Sequence, residues 1–168
     1  MKTETIRLYS LNFNEVKTYL TALIFILGNI ILPQLFHFIP NGGIMFLPIY
    51  FFTLVAAYKY GIKAGLLTAL LSPLVNYLLF GMPALQMLPV IIIKSSLLAL
   101  AASFAATYFK RISILILVLV VLSYQLAGTL VEFLFVGDIY IALQDFRIGI
   151  PGMILQIIGG YWLIKALK

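Results

Sequence analysis

Long apolar runs, broken by short clusters of Pro, Gly and charged residues, give this chain its pattern. Six runs stand out, near Val16 to Phe38, Ile44 to Tyr58, Ala64 to Phe80, Leu85 to Phe109, Ile112 to Val136 and Ile148 to Leu167. Each is too apolar on all sides for a surface helix of a soluble domain, and most reach the ~20 residues that a helix needs to cross a bilayer. The second and third runs are short, which predicts little tilt or locally thin membrane. Stretches such as Ile114 to Val121 are continuously apolar, not alternating, which excludes a β-barrel. The pattern predicts an all-α integral membrane protein: six transmembrane helices filling residues 1–168 as a single domain. The first run reads as a span, not a signal peptide, because it is long, follows about fifteen more polar residues and lacks a small-residue cleavage site.

Composition sharpens this picture. The chain has 168 residues, 64% of them hydrophobic and only 10% charged, with a mean hydropathy of +1.15. Soluble enzymes and disordered binders do not have such a composition. With no Cys and one His, His37, disulfides, thiolate metal sites, a Cys nucleophile and His-rich metal sites are ruled out. A pI near 9.6 does not imply a nucleic-acid partner, since the basic residues sit between apolar runs and not on one face.

Those basic residues report orientation instead. Lys2, Arg7 and Lys17 precede the first run, Lys59 and Lys63 follow the second, Lys110 and Arg111 follow the fourth, and Lys165 and Lys168 end the chain. The alternate connectors carry only Arg147, beside Asp138 and Asp145. The positive-inside rule then places both termini in the cytoplasm. Pro40 to Gly43, Gly81 to Pro83 and Gly137 to Arg147 become the outward connectors.

Polar residues inside the runs are costly in lipid and so mark packing or function. At 1.5 Å per residue, Asn76 and Glu132 each lie about 6 Å below the outer ends of their helices, Lys94 about 12 Å below Gln86, and Gln156 about 13.5 Å in from Arg147. Most therefore fall in the outer half. Helical spacing aligns Gly65, Thr68, Ser72 and Asn76, then Gln125, Gly128, Thr129 and Glu132, then Gly149, Gly152, Gln156 and Gly159. Packing explains Thr68, Ser72, Gly128 and Gly159, since small residues let membrane helices approach. For Asn41, Asn76, Gln86, Lys94, Gln125, Glu132, Arg147 and Gln156 the sharper reading is a solute site open to the outside and closed below. Lys94 and Glu132 also read as an internal ion pair, or Lys94 as snorkelling to the interface. Lys94 and Arg147 suit an anionic group, while Glu132, the amides, Tyr77 and Tyr124 suit a polar heterocycle. His37 reads as an interfacial anchor. A channel would be polar through its full depth, which this pattern is not. No GxxxxGK[ST] loop occurs, so energy for transport would come from a partner.

The stretches Met45-Phe-Leu-Pro-Ile, Lys59-Tyr-Gly-Ile-Lys-Ala-Gly-Leu-Leu and Leu71-Ser-Pro-Leu-Val-Asn-Tyr-Leu-Leu-Phe-Gly-Met-Pro83, with the end Ile150-Pro-Gly-Met-Ile-Leu-Gln through Leu163-Ile-Lys-Ala-Leu-Lys168, resemble the substrate-binding S components of energy-coupling factor (ECF) vitamin transporters. The resemblance implies a six-helix bundle with its solute near the outer face under the loop Pro40 to Gly43. It also implies a membrane coupling subunit, two cytoplasmic ATPases, and delivery by toppling in the bacterial cytoplasmic membrane. A small-residue face on the first helix, here Thr18 and Ala22, would meet the coupling subunit, although Ile26 departs from that pattern. The substrate would be a small water-soluble vitamin or precursor, with no cofactor and no metal. Two other readings remain. A rod-shape determinant of the MreD kind is also a short six-span protein and would bind membrane components instead of a solute. A membrane enzyme would need a nucleophile and base or several metal ligands, which one His, no Cys and a single intramembrane acid do not supply.

Overall fold

In the computed structural model, which describes residues 8–167, the second apolar run is not one helix. Its first part is a short helix, α2 (Gly42–Phe46). Leu47 then takes a left-handed backbone, φ 47, and a 3-10 turn at Pro48–Tyr50 leads into α3 (Phe51–Tyr60). The break is dictated by Pro48, which lacks an N–H and disfavours the helical conformation at the residue before it. The predicted continuous span from Ile44 is corrected accordingly.

The other elements follow the predicted runs more closely. They are α1 (Val16–Phe36), α4 (Ile62–Phe80), α5 (Leu88–Phe109) and α6 (Ile114–Val136). The longest predicted connector folds into two single turns, α7 (Ile139–Ala142) and α8 (Gln144–Arg147). The last run is α9 (Ile150–Ile154), a π-helical segment over Leu155–Gly159, and α10 (Gly160–Ala166). Local signals set several ends: the Ser113 hydroxyl accepts from the Ile116 N–H at the start of α6, and Asp138 accepts from the Tyr140 N–H at 2.7 Å to open α7. Gly61, at φ +92, turns the chain from α3 into α4.

Contacts at the helix ends fix the direction of each pass. The N–H groups of Tyr9 and Leu11 donate to the carbonyls of Lys59 and Tyr60, Lys63 bonds Asn12, and the Tyr58 hydroxyl donates to the Arg111 carbonyl at 2.6 Å. Asn12, Lys59, Lys63 and Arg111 therefore share one end of the bundle, here the basic end. Lys2, Arg7 and Lys168 lie outside the described residues. At the other end, Gly149 and Gly152 pack on Leu47 and Phe46, and further along Gly159 and Gly160 pack on Phe51 and Leu54. The last run thus lies beside α3 and runs the same way. All described elements are helical or turn.

Four helices, α1, α4, α5 and α6, are long and apolar enough to cross a membrane, and the chain is a multi-pass membrane protein on that ground. Their outer faces agree. Leu20, Leu23, Ile24, Leu27, Ile31 and Leu35 of α1 are exposed, as are Leu126, Leu130 and Leu134 of α6, a distribution that suits lipid. The interior is built from small residues: a Cβ at Gly65 would lie 2.4 Å from that of Ala57, and Ala64, Ala69, Ala99 and Ala102 are fully buried. Thr68 returns its hydroxyl to the Ala64 carbonyl.

A polar knot joins four helices at mid-bundle. Asn29 Nδ2 donates to Thr53 Oγ1 and Ser72 Oγ, both at 3.1 Å, while its Oδ1 accepts from the Phe52 N–H. That last bond satisfies one of the N–H groups that the broken second run leaves free at the start of α3. Thr53 also meets Ser95 at 3.3 Å.

Candidate functional site

The end opposite the basic one holds a cavity of about 800 Å³. The end of α1 reaches it through Pro33, Gln34 and His37. The following loop contributes Pro40, Asn41, Gly42 and Gly43, and the break after α2 contributes Leu47 to Tyr50. Met82 to Ala84 and Met87 come from the α4–α5 connector, and Ile141, Gln144 and Asp145 from the α6–α9 connector. All three connectors of this end therefore converge on one space. Its wall is mostly apolar, with a few polar groups, as small-molecule sites are.

At its side lies an ion triad. Lys94 of α5 bonds Glu132 of α6 and lies 2.8 Å from Asp145 Oδ2 of α8. Its side chain is 3% exposed, that of Glu132 6% and that of Asp145 14%. The sequence places the lysine here through Gly128, one turn below Glu132. A Cβ at that position would stand 2.7 Å from Lys94 Cγ, so glycine leaves the groove along which the lysine stem crosses α6. Lys94 thus does not snorkel to an interface.

Asn76 of α4 is buried and lines the same cavity. Its Nδ2 donates to the carbonyls of Asn29 and Ser72, each at 2.9 Å, which leaves Oδ1 as the open acceptor of the amide. Below the wall, the Tyr50 ring packs against Tyr124 with centroids 5.7 Å apart. The Tyr124 hydroxyl in turn donates to Gln156 Oε1 at 2.9 Å. Both amide atoms of Gln125, Thr129 Oγ1 and Gln156 Nε2 are buried without a partner. Gln156 sits on the π-helical segment, a local irregularity that recurs at functional positions.

Of the residues singled out from the sequence, Asn41, Asn76, Lys94 and Glu132 meet at the cavity. Gln125 and Gln156 are fully buried and do not line it; Gln156 is held by the Tyr124 hydroxyl in the layer behind Tyr50. Gln86 and Arg147 are exposed and away from it. Gln86 falls in the turn before α5, which begins at Leu88 and not at Leu85. Arg147 stands two residues from Asp145 on α8, about 200° around a helix, so when one faces in the other faces out. Lys94 and Arg147 therefore do not share the cavity, and Lys94 faces two carboxylates. Tyr77 does not line the cavity either.

Thr18 and Ala22 are buried inside the bundle, Thr18 bonding the Asn12 carbonyl. Their small size serves packing within the chain, and the exposed stripe of α1 is the leucine and isoleucine face. Sequence reasoning passed over Gln34, Tyr50 and Gln144, left Asp145 between a solvated loop charge and a site residue, and read His37 as an anchor although it lines the cavity rim. A single Gln inside an apolar run was a usable signal for Gln34. Asp145 carried none, because an acidic residue in a connector ordinarily faces water.

No protein-family model matches the chain, and neither does any curated protein or solved structure.

Proposed function

We propose that the chain is the membrane-embedded substrate-capture subunit of an ECF-type importer, taking a small water-soluble vitamin or precursor from the outer face. The observation that carries this reading is the convergence of three connectors and a buried ion triad on one cavity of about 800 Å³, large enough for such a solute. Beneath it Leu54, Val55, Leu98 and Ala99 are fully buried and apolar, which supports a pocket with one mouth over a pore. In this reading the chain spans the membrane six times with both termini cytoplasmic, the two shorter passes being the broken second run and the last. The loop Pro40 to Gly43 is the cover of the site. Release inward needs the whole bundle to turn, which a coupling subunit and two cytoplasmic ATPases would drive in a bacterial cytoplasmic membrane. The coupling subunit has to meet a surface other than Thr18 and Ala22. The chain itself performs no catalysis in this scheme.

The test is native mass spectrometry of the protein released gently from its host's membranes. A bound vitamin-sized molecule with a membrane subunit and ATPases is the expected result. A solute-free protein associated with cell-envelope or cell-shape proteins would instead favour the MreD-like structural reading.

A further inference from the structure

The charges at the cavity do not balance. Apart from the Tyr50 phenol and the rim residue His37, its ionisable lining groups are Lys94, Glu132 and Asp145, giving one ammonium against two carboxylates. Asp138 is spent on capping α7, and Arg147 lies exposed off the lining. A net negative charge held in a poorly hydrated wall is costly until a positive charge meets it. The geometry leaves room for one. Lys94 engages Glu132 Oε2 and Asp145 Oδ2, so one oxygen of each carboxylate stays open. Asn76 Oδ1 is a third open acceptor on the same cavity, and Tyr50 offers an aromatic ring.

From this we infer that the cavity selects an organic solute carrying a single positive charge, a primary or quaternary amine or a cationic nitrogen heterocycle. The inference rests on the reading of the cavity as a solute site. Binding completes a neutral set of two carboxylates and two cations. The apolar lining of Leu47, Ile49, Met87, Val90 and Ile91 takes the organic body, which a bare metal ion with its need for many oxygen ligands does not offer. An anionic solute would add a third negative charge beside two carboxylates.

The test uses the full chain in lipid nanodiscs, with binding of benzylammonium, benzyl alcohol and benzoate measured by ligand-observed NMR against empty nanodiscs. Benzylammonium is expected to bind at least about tenfold more tightly than benzyl alcohol, as a hydrogen bond to a charged group exceeds one to a neutral group, and benzoate not at all. Glu132→Gln leaves Lys94 balanced by Asp145, and Asp145→Asn leaves it balanced by Glu132. Each is expected to erase the preference for the cation while benzyl alcohol binding persists. Asp145 lies on a connector turn, so its variant keeps the test open if Glu132→Gln fails to fold. Equal binding of the cationic and neutral probes, or a preference that survives both substitutions, overturns the charge selection and leaves the solute site standing. Absence of binding by all three probes overturns the solute site and the selection with it.

Discussion

Lys94 shows how much one position can depend on another helix's glycine. Its stem lies across Gly128, and its ammonium is shared between Glu132 and Asp145. Removing one partner of a buried pair costs about 3–5 kcal/mol when the other charge is stranded. Lys94→Met strands two carboxylates, whereas Glu132→Gln leaves a balanced pair. Thermal unfolding in detergent should therefore show a much larger loss of Tm for Lys94→Met; equal losses would mean that Asp145 does not share the ammonium. Gly128→Val should itself cost about 1–3 kcal/mol by overpacking against the lysine stem, read by the same assay. At Asn29 one side chain satisfies Thr53, Ser72 and the Phe52 N–H. Asn29→Leu leaves that N–H buried without a partner and should destabilise by about 1–3 kcal/mol; an unchanged Tm would contradict the knot's role.

Apart from Asn41 of the first connector loop, the candidate site was legible residue by residue where helical phase decides orientation. Asn76, Lys94 and Glu132 sit deep in long helices whose face is readable from i, i+3, i+4 spacing, and they reach the cavity. Gln125 shares the Glu132 face but lies two turns lower, buried and off the cavity lining. Gln86, Arg147 and Asp145 sit in connectors, where a single turn decides which side chain faces inward, and no periodicity announces it.

Among elements, the four long helices were readable from apolar length, and their ends moved by no more than three residues from the predicted runs. The second run was misread for a definite reason. An apolar stretch of the right length hides the backbone effect of Pro48, and the structure converts the half before it into a wall of the cavity. A continuous helix here would carry its side chains past the cavity. Orientation belongs to the same scale and can be checked simply, since the chain has no Cys. Single cysteines at Tyr140 and Arg147 should react with an impermeant maleimide in intact cells, and one at Lys110 only after permeabilisation. The reverse pattern would place the cavity on the cytoplasmic side and end the capture proposal.

The whole molecule is asymmetric from end to end. Basic residues and tight backbone pairing of the N-terminal stretch with α3 mark one end; the cavity and its three converging connectors mark the other. A closed core between them suits capture followed by rigid reorientation better than conduction. The most direct measurement is an experimental structure of the protein with the solute found bound to it after purification from its host. The expected result is that molecule in the cavity, beneath Asn41 and in contact with Asn76 or the carboxylates of Glu132 and Asp145. A solute seated elsewhere, with lipid filling the cavity, would contradict it.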